Sequence, residues 1–481
     1  MTPESDAPAR ALLGIVPDRR TQWLPAFTPF AASGRRAERP NIVFVFADDL
    51  GWGDLGCFGS LHNETPHLDQ VAVDGLRLTH AYATSSTCSP TRIGLYTGRY
   101  PGRLVAGMEE PLVTRDELHG IPHEHPTLPS LLRDAGYRTA MFGKWHCGWL
   151  PWFSPVKSGF EEFFGNLDGA MDYFSHIDTA GRPDLYEGET PIEQVGYYTE
   201  MVSQRAAAYI REHEDEPFYL QVNYTAPHWP WEGPNDEAVS ERVSAAQREG
   251  RLSGIFHYEG GSLETYREMV AALDDGIGEV LRALDETGQR DNTLFIFSSD
   301  NGGERYAFMW PFVGEKGDLE EGGIRVPFLV RWPAVIDGGQ TSAVVNGTMD
   351  WTATILAAAG IGAHPDYPLD GVSLLDWLTD GTAPRDRSLL WRTRYQGAVR
   401  RGKWKLLFDR VAQPLWWFYG GNPNASRTRL FDITVDGREW ADVADEHPDV
   451  VEELLGEWRA FDESMLAYES PARDRPVGEA D

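Results

Sequence analysis

Four segments of the chain place side chains that bind cations or move protons directly after a short apolar run. Such runs are typical of strands that are buried on both faces of a parallel sheet. The groups that follow the four runs are Asp48-Asp49, Gly143-Lys144-Trp145-His146, Ala226-Pro227-His228 and Asp300-Asn301-Gly302-Gly303. In open α/β sheets, ligands bind at the carboxyl ends of the strands. We therefore expect these four segments to meet at one edge of a single sheet.

Asp48, Asp49, Asp300 and Asn301 offer only oxygen ligands. Three neighbouring carboxylates raise one another's pKa, and a divalent cation removes that cost. An all-oxygen set favours Ca²⁺ or Mg²⁺ over Zn²⁺. A single Asp after a strand is more often a helix cap or a turn residue, so the metal hypothesis depends on the whole set.

The segment Thr87-Cys88-Ser89-Pro90-Thr91-Arg92 has the pattern of a helix start, because proline is tolerated in the first helical turn. Cys88 would then lie at a helix N-terminus, where free amides and the helix dipole favour an anion. Arg92 would lie one turn further along. The spacing fits either an anion site or a thiolate nucleophile beside an anion clamp.

Two segments resemble the signatures of the formylglycine-dependent sulfatases, the type I, arylsulfatase-like branch of the alkaline phosphatase superfamily. The first is Cys88-Ser89-Pro90-Thr91-Arg92 with Leu95 and Thr97-Gly98-Arg99, and the second is Gly136-Tyr137-Arg138-Thr139 with Gly143-Lys144-Trp145-His146. The resemblance runs from Asn41 to about residue 460. It implies an alkaline-phosphatase-like α/β fold with a small C-terminal sheet domain, and the activity of a sulfuric-ester hydrolase.

The same resemblance implies a role for each matched residue. Cys88 corresponds to the cysteine that a separate formylglycine-generating enzyme oxidises to Cα-formylglycine, the nucleophile of the reaction. One Ca²⁺ per chain would be held by Asp48, Asp49, Asp300, Asn301 and the modified side chain of Cys88. Arg92 and Lys144 would contact the nucleophile or the sulfate, and His146 would act as the base. His228 and Lys316 would bind sulfate and protonate the leaving oxygen.

Two other functions stay open at the level of sequence. Related enzymes with a Cys-x-Pro-x-Arg core hydrolyse phosphonate monoesters or phosphodiesters, whose reacting centres are nearly isosteric with a sulfate monoester. The chain would instead be a catalytically inactive anion-binding protein if Cys88 were never converted. Five tryptophans near the predicted histidines would either wall a substrate cleft or pack in the core: Trp145, Trp149, Trp152, Trp229 and Trp231.

Alternating strands and helices over some 300 residues predict an α/β fold, with a large, mostly parallel central sheet flanked by helices. The apolar runs predict strands at Asn41 to Ala47, Tyr137 to Phe142, Phe218 to Tyr224, Thr293 to Ser298 and Val326 to Arg331. Helices are predicted at Thr127 to Ala135, Thr199 to Glu214 and Leu263 to Thr287. Short antiparallel strands over 388–410 and a helix from Pro448 to Met465 predict a small α+β domain. We divide the chain into an N-terminal extension (1–38), a catalytic domain (39–380) and a C-terminal domain (381–481).

The chain of 481 residues carries 43 Lys plus Arg against 74 Asp plus Glu, a net charge of −31. It therefore lacks the basic surface by which proteins bind nucleic acid or anionic membranes. No apolar run reaches the about 18 residues of a membrane span, and the N-terminus does not resemble a signal peptide. We expect a cytoplasmic protein that acts on a small sulfated substrate. Of its five lysines, Lys144 and Lys316 fall on predicted sulfate contacts.

Overall fold

The computed structural model describes residues 26–251, 257, 260–410 and 428–468. The first 25 residues of the predicted N-terminal extension and residues 469–481 of the predicted C-terminal domain lie outside the described residues. Within the described ranges, no helix is long and apolar enough to cross a membrane.

Seventeen strands and ten α-helices occur in the described part of the chain. The strands are β1 (Thr28–Pro29), β2 (Asn41–Ala47), β3 (Leu76–Leu78), β4 (Ala81–Tyr82), β5 (Arg138–Gly143), β6 (Glu162–Gly165), β7 (Tyr186–Glu187), β8 (Thr190–Pro191), β9 (Phe218–Asn223), β10 (Thr293–Ser299), β11 (Phe328–Arg331), β12 (Gln340–Ser342), β13 (Asn346–Gly347), β14 (Leu389–Arg392), β15 (Gln396–Arg401), β16 (Trp404–Asp409) and β17 (Arg429–Asp432). The helices are α1 (Pro66–Val73), α2 (Cys88–Thr97), α3 (Leu128–Asp134), α4 (Tyr198–Glu212), α5 (Glu237–Arg248), α6 (Leu263–Glu286), α7 (Glu321–Ile324), α8 (Thr348–Ala358), α9 (Leu375–Asp380) and α10 (Pro448–Glu463).

The main sheet has eleven strands in the order β1-β12-β3-β11-β10-β2-β9-β5-β6-β7-β8. Its centre, β10, β2, β9 and β5, is parallel throughout. Strand β11 is antiparallel to both of its neighbours, so the sheet is mixed on that side. The predicted α/β class, with a mostly parallel central sheet, is confirmed.

Strand β2 shows why its sequence is almost continuously apolar. Val43 and Val45 belong to the core cluster on one face of the sheet, and Phe44 and Phe46 belong to the cluster on the other face. All four side chains are fully buried. Helices cover both faces of the sheet, so neither face of β2 is exposed to solvent and polar side chains are disfavoured on both.

The predicted elements are confirmed with small shifts at their ends. Strand β11 begins at Phe328, two residues after the predicted start, because Pro327 has no N–H to donate to a ladder. Helix α3 ends before Gly136, which adopts φ +85° and turns the chain into β5. Strand β1 pairs in parallel with β12, although the sequence pattern predicts no element in the N-terminal extension.

The C-terminal sheet is antiparallel, in the order β14-β15-β16-β17. On one face, Leu454 and Trp458 of α10 pack against it. On its other face, Trp391 shares an apolar cluster with Leu319, which precedes α7, and the Nε1 of Trp391 donates to the carbonyl of Ala83 at 2.8 Å. The predicted boundary after residue 380 falls between α9 and β14 and stays a prediction.

Candidate active site

The four polar segments meet at one edge of the main sheet, as their positions after the strands predict. Residue Ser299 at the end of β10 pairs with Ala47 at the end of β2, so Asp300 and Asp48 leave the sheet side by side. Strand β5 ends at Gly143, paired with Asn223 at the end of β9. Parallel strands that end in register bring the segments after them to one place. The segments after β5 and β9 carry Lys144, His146 and His228.

The carboxylates form two overlapping groups. Ligand atoms of Asp48, Asp49 and His228 lie within 4.8 Å of one another, and so do those of Asp48, Cys88 and Asp300. The Asp49 amide donates to Asp300 Oδ1 at 3.4 Å. All of these residues are buried, and Asp49 adopts φ +64°, a conformation that costs free energy outside glycine.

Cys88 is the first residue of α2, as the Pro90 pattern predicts, and it is buried. Its Sγ lies 3.3 Å from His146 Nδ1. The other ring nitrogen, His146 Nε2, lies 2.9 Å from the carbonyl oxygen of Leu112. A carbonyl only accepts, so the neutral ring carries its proton on Nε2 and presents Nδ1 as an acceptor towards Cys88. Burial and the charge of Lys144 lower the pKa of His146 well below its ordinary value.

The buried cations neutralise part of this negative charge. Arg92 donates from Nε to Asp300 Oδ2 at 3.0 Å, and its Nη2 lies 2.8 Å from the same oxygen. Its Nη1 donates to the carbonyl of Lys144 at 3.0 Å, which ties α2 to the end of β5. Lys144 donates from Nζ to Asp48 Oδ2. Arg92 and Lys144, which are predicted to contact the nucleophile or the sulfate, therefore lie beside the carboxylates of Asp48 and Asp300.

Lys316 and His228 lie on the other side of Asp49. Lys316 Nζ donates to Asp49 Oδ2 at 2.7 Å, and His228 Nε2 lies 3.6 Å from the same oxygen. Burial raises the pKa of Asp49, but the charges of Lys316 and His228 outweigh it and hold that pKa below its usual range. Burial lowers the pKa of Lys316, but Asp49 and Glu304 outweigh it and raise that pKa well above its ordinary value.

Glu304 belongs to this site and is absent from the predicted set. Its Oε2 lies 3.5 Å from Lys316 Nζ and accepts a hydrogen bond from Trp229 Nε1 at 3.1 Å. Burial raises the pKa of this carboxyl. Its place four residues after Asp300, at the same strand end, is the signal by which it could have been found.

A hard divalent cation fits the residues present. Asp48 Oδ1 and Asn301 Oδ1 are buried and have no hydrogen-bond partner among the described residues. Arg92 Nη2 lies 3.8 Å from Asp48 Oδ1, too far for a hydrogen bond. Burial and the charge of Asp48 raise the pKa of Asp300 to about 7. Unpartnered buried oxygens and crowded carboxyls are both relieved by a cation with oxygen ligands.

The tryptophans divide between the two open interpretations. Trp145, Trp149 and Trp231 are buried core residues. Trp229 is partly buried and donates to Glu304, whereas Trp152 is 41% exposed. Packing accounts for three of the five.

Comparison with known proteins shows the family to which the chain belongs. Residues 40–361 match the family model described as Sulfatase. Arylsulfatase J of Mus musculus is 30% identical over 91% of this chain and 78% of its own length. N-acetylgalactosamine-6-sulfatase of Homo sapiens is 34% identical over 71% of this chain and 66% of its own length.

Among solved structures, Ps i-CgsB in complex with k-i-k-neocarrahexaose has a TM-score of 0.74 and 29% identity. The similarity covers 88% of this chain and 92% of that chain. The family match spans more than half of the chain, and the described fold fits it. The chain therefore belongs to the sulfatase family and is an enzyme that hydrolyses sulfate esters.

Proposed function

We propose that this sulfatase cleaves a sulfate monoester with a formylglycine made from Cys88 and with one bound Ca²⁺, and that it releases sulfate and an alcohol or phenol. One observation carries the proposal: Cys88 Sγ and ligand oxygens of Asp48 and Asp300 lie within 4.8 Å of one another. A nucleophile at position 88 and a cation on these carboxylates would act on the same sulfate group.

Asp48, Asp49, Asp300 and Asn301 would hold the Ca²⁺, together with the modified side chain at position 88. When bound, the cation lowers the pKa of a coordinated hydroxyl and stabilises negative charge on the sulfate oxygens. A hydrated formylglycine at position 88 would supply two hydroxyls: one as the nucleophile towards sulfur, and a second whose deprotonation would allow sulfate to leave as the aldehyde is restored.

His146 would take the proton of that second hydroxyl. Its Nδ1 is the acceptor that faces position 88, and the Leu112 carbonyl fixes this tautomer. Its lowered pKa keeps the ring neutral before the transfer. The geometry meets the first requirement of a general base, which is hydrogen-bond reach of the proton it removes.

The cations would hold the sulfate and the leaving oxygen. Lys144 and Arg92 lie on the side of Asp48 and Asp300, and Lys316 lies on the side of Asp49. His228 Nδ1 lies 2.7 Å from the carbonyl of Trp229, which leaves Nε2 facing the site. A carbonyl only accepts, so the neutral ring carries its proton on Nδ1 and presents Nε2 to the site as an acceptor. Burial and the charge of Lys316 lower the pKa of His228 well below its ordinary value. The Lys316 ammonium, beside Nε2, would therefore supply the proton that passes to the leaving oxygen.

The proposals for maturation and location follow from the sequence: the Cys88 motif resembles the formylglycine signature, and the N-terminus does not resemble a signal peptide. We infer that a formylglycine-generating enzyme converts Cys88 in the cytoplasm, and that the substrate is a small sulfated compound. One relative is named as acting on N-acetylgalactosamine 6-sulfate groups, which supports a sulfated sugar as a candidate class.

The test is to produce the chain together with a formylglycine-generating enzyme and to analyse the Cys88 peptide by mass spectrometry. Converted protein should release sulfate from an aryl sulfate, faster than it cleaves the matching aryl phosphonate monoester. Cys88→Ala should abolish sulfate release without loss of folding. Cys57→Ala, a change at another buried cysteine, is the matched control and should remain active. Full turnover by Cys88→Ala, or a phosphonate rate far above the sulfate rate, would contradict the proposal.

A further inference from the structure

A cleft of about 290 Å³ lies directly beside the predicted catalytic residues. Thr87 lines it and precedes Cys88, and Gly317 lines it and follows Lys316. Val113 also lines it, next to Leu112, whose carbonyl contacts His146. The cleft is therefore where the group attached to a bound sulfate would extend. Its volume is close to the lower end of small-molecule pockets, about 300 Å³, which fits one ring-sized group.

The C-terminal domain supplies part of the cleft wall. The turn between β14 and β15, residues 393–395, lines the cleft, and Tyr395 in this turn is 37% exposed. The Arg394 amide donates to Glu110 Oε2 at 3.0 Å, which fixes the turn against the large domain. The Tyr395 carbonyl accepts from the Arg410 amide at 2.7 Å. These two hydrogen bonds anchor the backbone of the turn that carries Tyr395, and an aromatic side chain at such a position offers a face on which a sugar or aryl ring packs.

Two polar groups in the lining call for a ligand. The hydroxyl oxygens of Ser86 and Thr87 are buried and have no hydrogen-bond partner within the part of the chain that the structure describes. Both residues line the cleft. Buried hydroxyls are normally hydrogen-bonded. A further hydroxyl on the alcohol half of the substrate, apart from the one that carries the sulfate, would supply the missing partners.

The charge of the lining restricts which group fits. Three carboxyl side chains line the cleft, those of Glu109, Glu110 and Asp318, against the single guanidinium of Arg394. Asp318 Oδ2 accepts from the Glu315 amide at 3.1 Å, which holds this carboxyl within its own loop. Burial raises the pKa of Glu110 and of Asp318 to about 7. Above that pH, a second anionic group on the substrate would face this excess of carboxylates at short range and would be repelled.

We propose that this cleft binds the alcohol half of the substrate, that Tyr395 packs against its ring, and that the acidic lining selects a ring carrying no second negative charge. The inference rests on the proposed function, because it takes the sulfate to lie among Cys88, Lys144 and Lys316. The β14–β15 turn, through Tyr395, and Asp318 would then select which alcohol half the enzyme accepts.

The first test removes the ring of Tyr395 from the converted enzyme. Tyr395→Ala should raise the KM for 4-nitrophenyl sulfate about three- to tenfold, the range expected for one aromatic contact. The Ki of inorganic sulfate, which has no alcohol half, should stay within about twofold of wild type by the same argument. Trp440→Ala removes a 71% exposed aromatic ring from the same domain, outside the cleft, and should change neither constant.

The second test compares 4-nitrophenyl sulfate with an analogue that carries a ring carboxylate. Wild type should prefer the neutral ester, and Asp318→Asn, which keeps the acceptor for the Glu315 amide, should narrow that preference about three- to tenfold. Asp366→Asn changes an exposed Asp outside the cleft and should leave the preference unchanged. Burial raises the pKa of Asp318 to about 7, so both esters are assayed above that pH.

The two tests distinguish failure of the proposed binding cleft from failure of the proposed sulfatase function. An unchanged KM in Tyr395→Ala, or an unchanged preference in Asp318→Asn, would overturn the subsite while the sulfatase activity stands. Converted wild type that hydrolyses neither ester would overturn the proposed function as well.

Discussion

Cys88 Sγ lies 3.3 Å from His146 Nδ1 although the two residues are 58 positions apart in the chain. The contact joins the N-terminus of α2 to the segment that follows β5. Because the Leu112 carbonyl occupies the other ring nitrogen, the imidazole has one orientation and one tautomer in which it faces position 88. This pair links the residue that would be converted to the base that would act on it.

Removing the base should slow the reaction far more than it weakens binding. His146→Ala in the converted enzyme should lower kcat about 100-fold or more, because general bases contribute about 10²–10⁴-fold. Steady-state assays with an aryl sulfate measure this. His123→Ala, which removes an exposed histidine, is the control and should behave as wild type. A kcat for His146→Ala near that of His123→Ala would exclude the role.

Ca²⁺ should stabilise the folded chain even when no substrate is present. A ligand that binds only the native state adds about 2.7 kcal/mol at one hundred times its Kd, which raises Tm. Thermal melting of protein stripped with a chelator, with and without added Ca²⁺, measures the shift. Asp300→Asn should lose most of the shift because it removes a charged ligand. Asp291→Asn, at the opposite end of β10, should retain it. Identical melting of stripped and Ca²⁺-supplemented wild type would contradict the site.

Asp274 should make the stability of the chain depend on pH. This buried carboxyl accepts from the amides of His67 and Leu68 at the start of α1, and burial raises its pKa to about 7. The folded chain therefore holds the proton more tightly than the unfolded chain, in which Asp titrates near about 3.9. Its contribution is fully present at low pH and is lost as pH rises from about 4 to about 7, at most on the order of 4 kcal/mol.

Asp274→Asn should remove that part of the pH dependence. Urea unfolding at several pH values between 4 and 8 measures it, and the variant should gain stability relative to wild type as pH rises. Asp275→Asn changes the neighbouring residue, whose side chain is 82% exposed, and should keep the wild-type slope. Parallel pH profiles for Asp274→Asn and wild type would contradict the prediction.

Lys405 should be essential to the contact between the C-terminal sheet and helix α7. Its Nζ lies 2.7 Å from Glu439 Oε1 and 3.1 Å from Glu321 Oε1, and all three side chains are buried. Lys405→Met would leave the buried carboxyl of Glu439 without its cation, whereas Glu321 keeps its ion pair with Arg325 at 3.0 Å. Loss of one partner of a buried ion pair costs about 3–5 kcal/mol. Urea denaturation measures the loss. Lys403→Met breaks a partly exposed pair with Asp432 and should cost less than about 1 kcal/mol. Equal losses in both variants would show that the buried pair does not stabilise the contact.

Much of the fold followed from local pattern. Strand β2 was predicted with its observed ends because every residue from Ile42 to Ala47 is apolar and fully buried. Helix α2 begins at Cys88 because Pro90 suits a first turn. The convergence of Asp48 and Asp300 followed from a rule about parallel strands, and the register of β2 with β10 confirms it.

By itself, the sequence determined the fold class, the family resemblance and the strand ends that carry the polar residues, because each depends on residues close together in the chain. Only the tertiary structure decided which groups complete the site. Glu304 contacts Lys316, the Leu112 carbonyl orients His146, and Tyr395 lines the same cleft as Thr87. These contacts join segments far apart in the chain, and their formation depends on how the sheets and loops pack rather than on any local pattern of residue types.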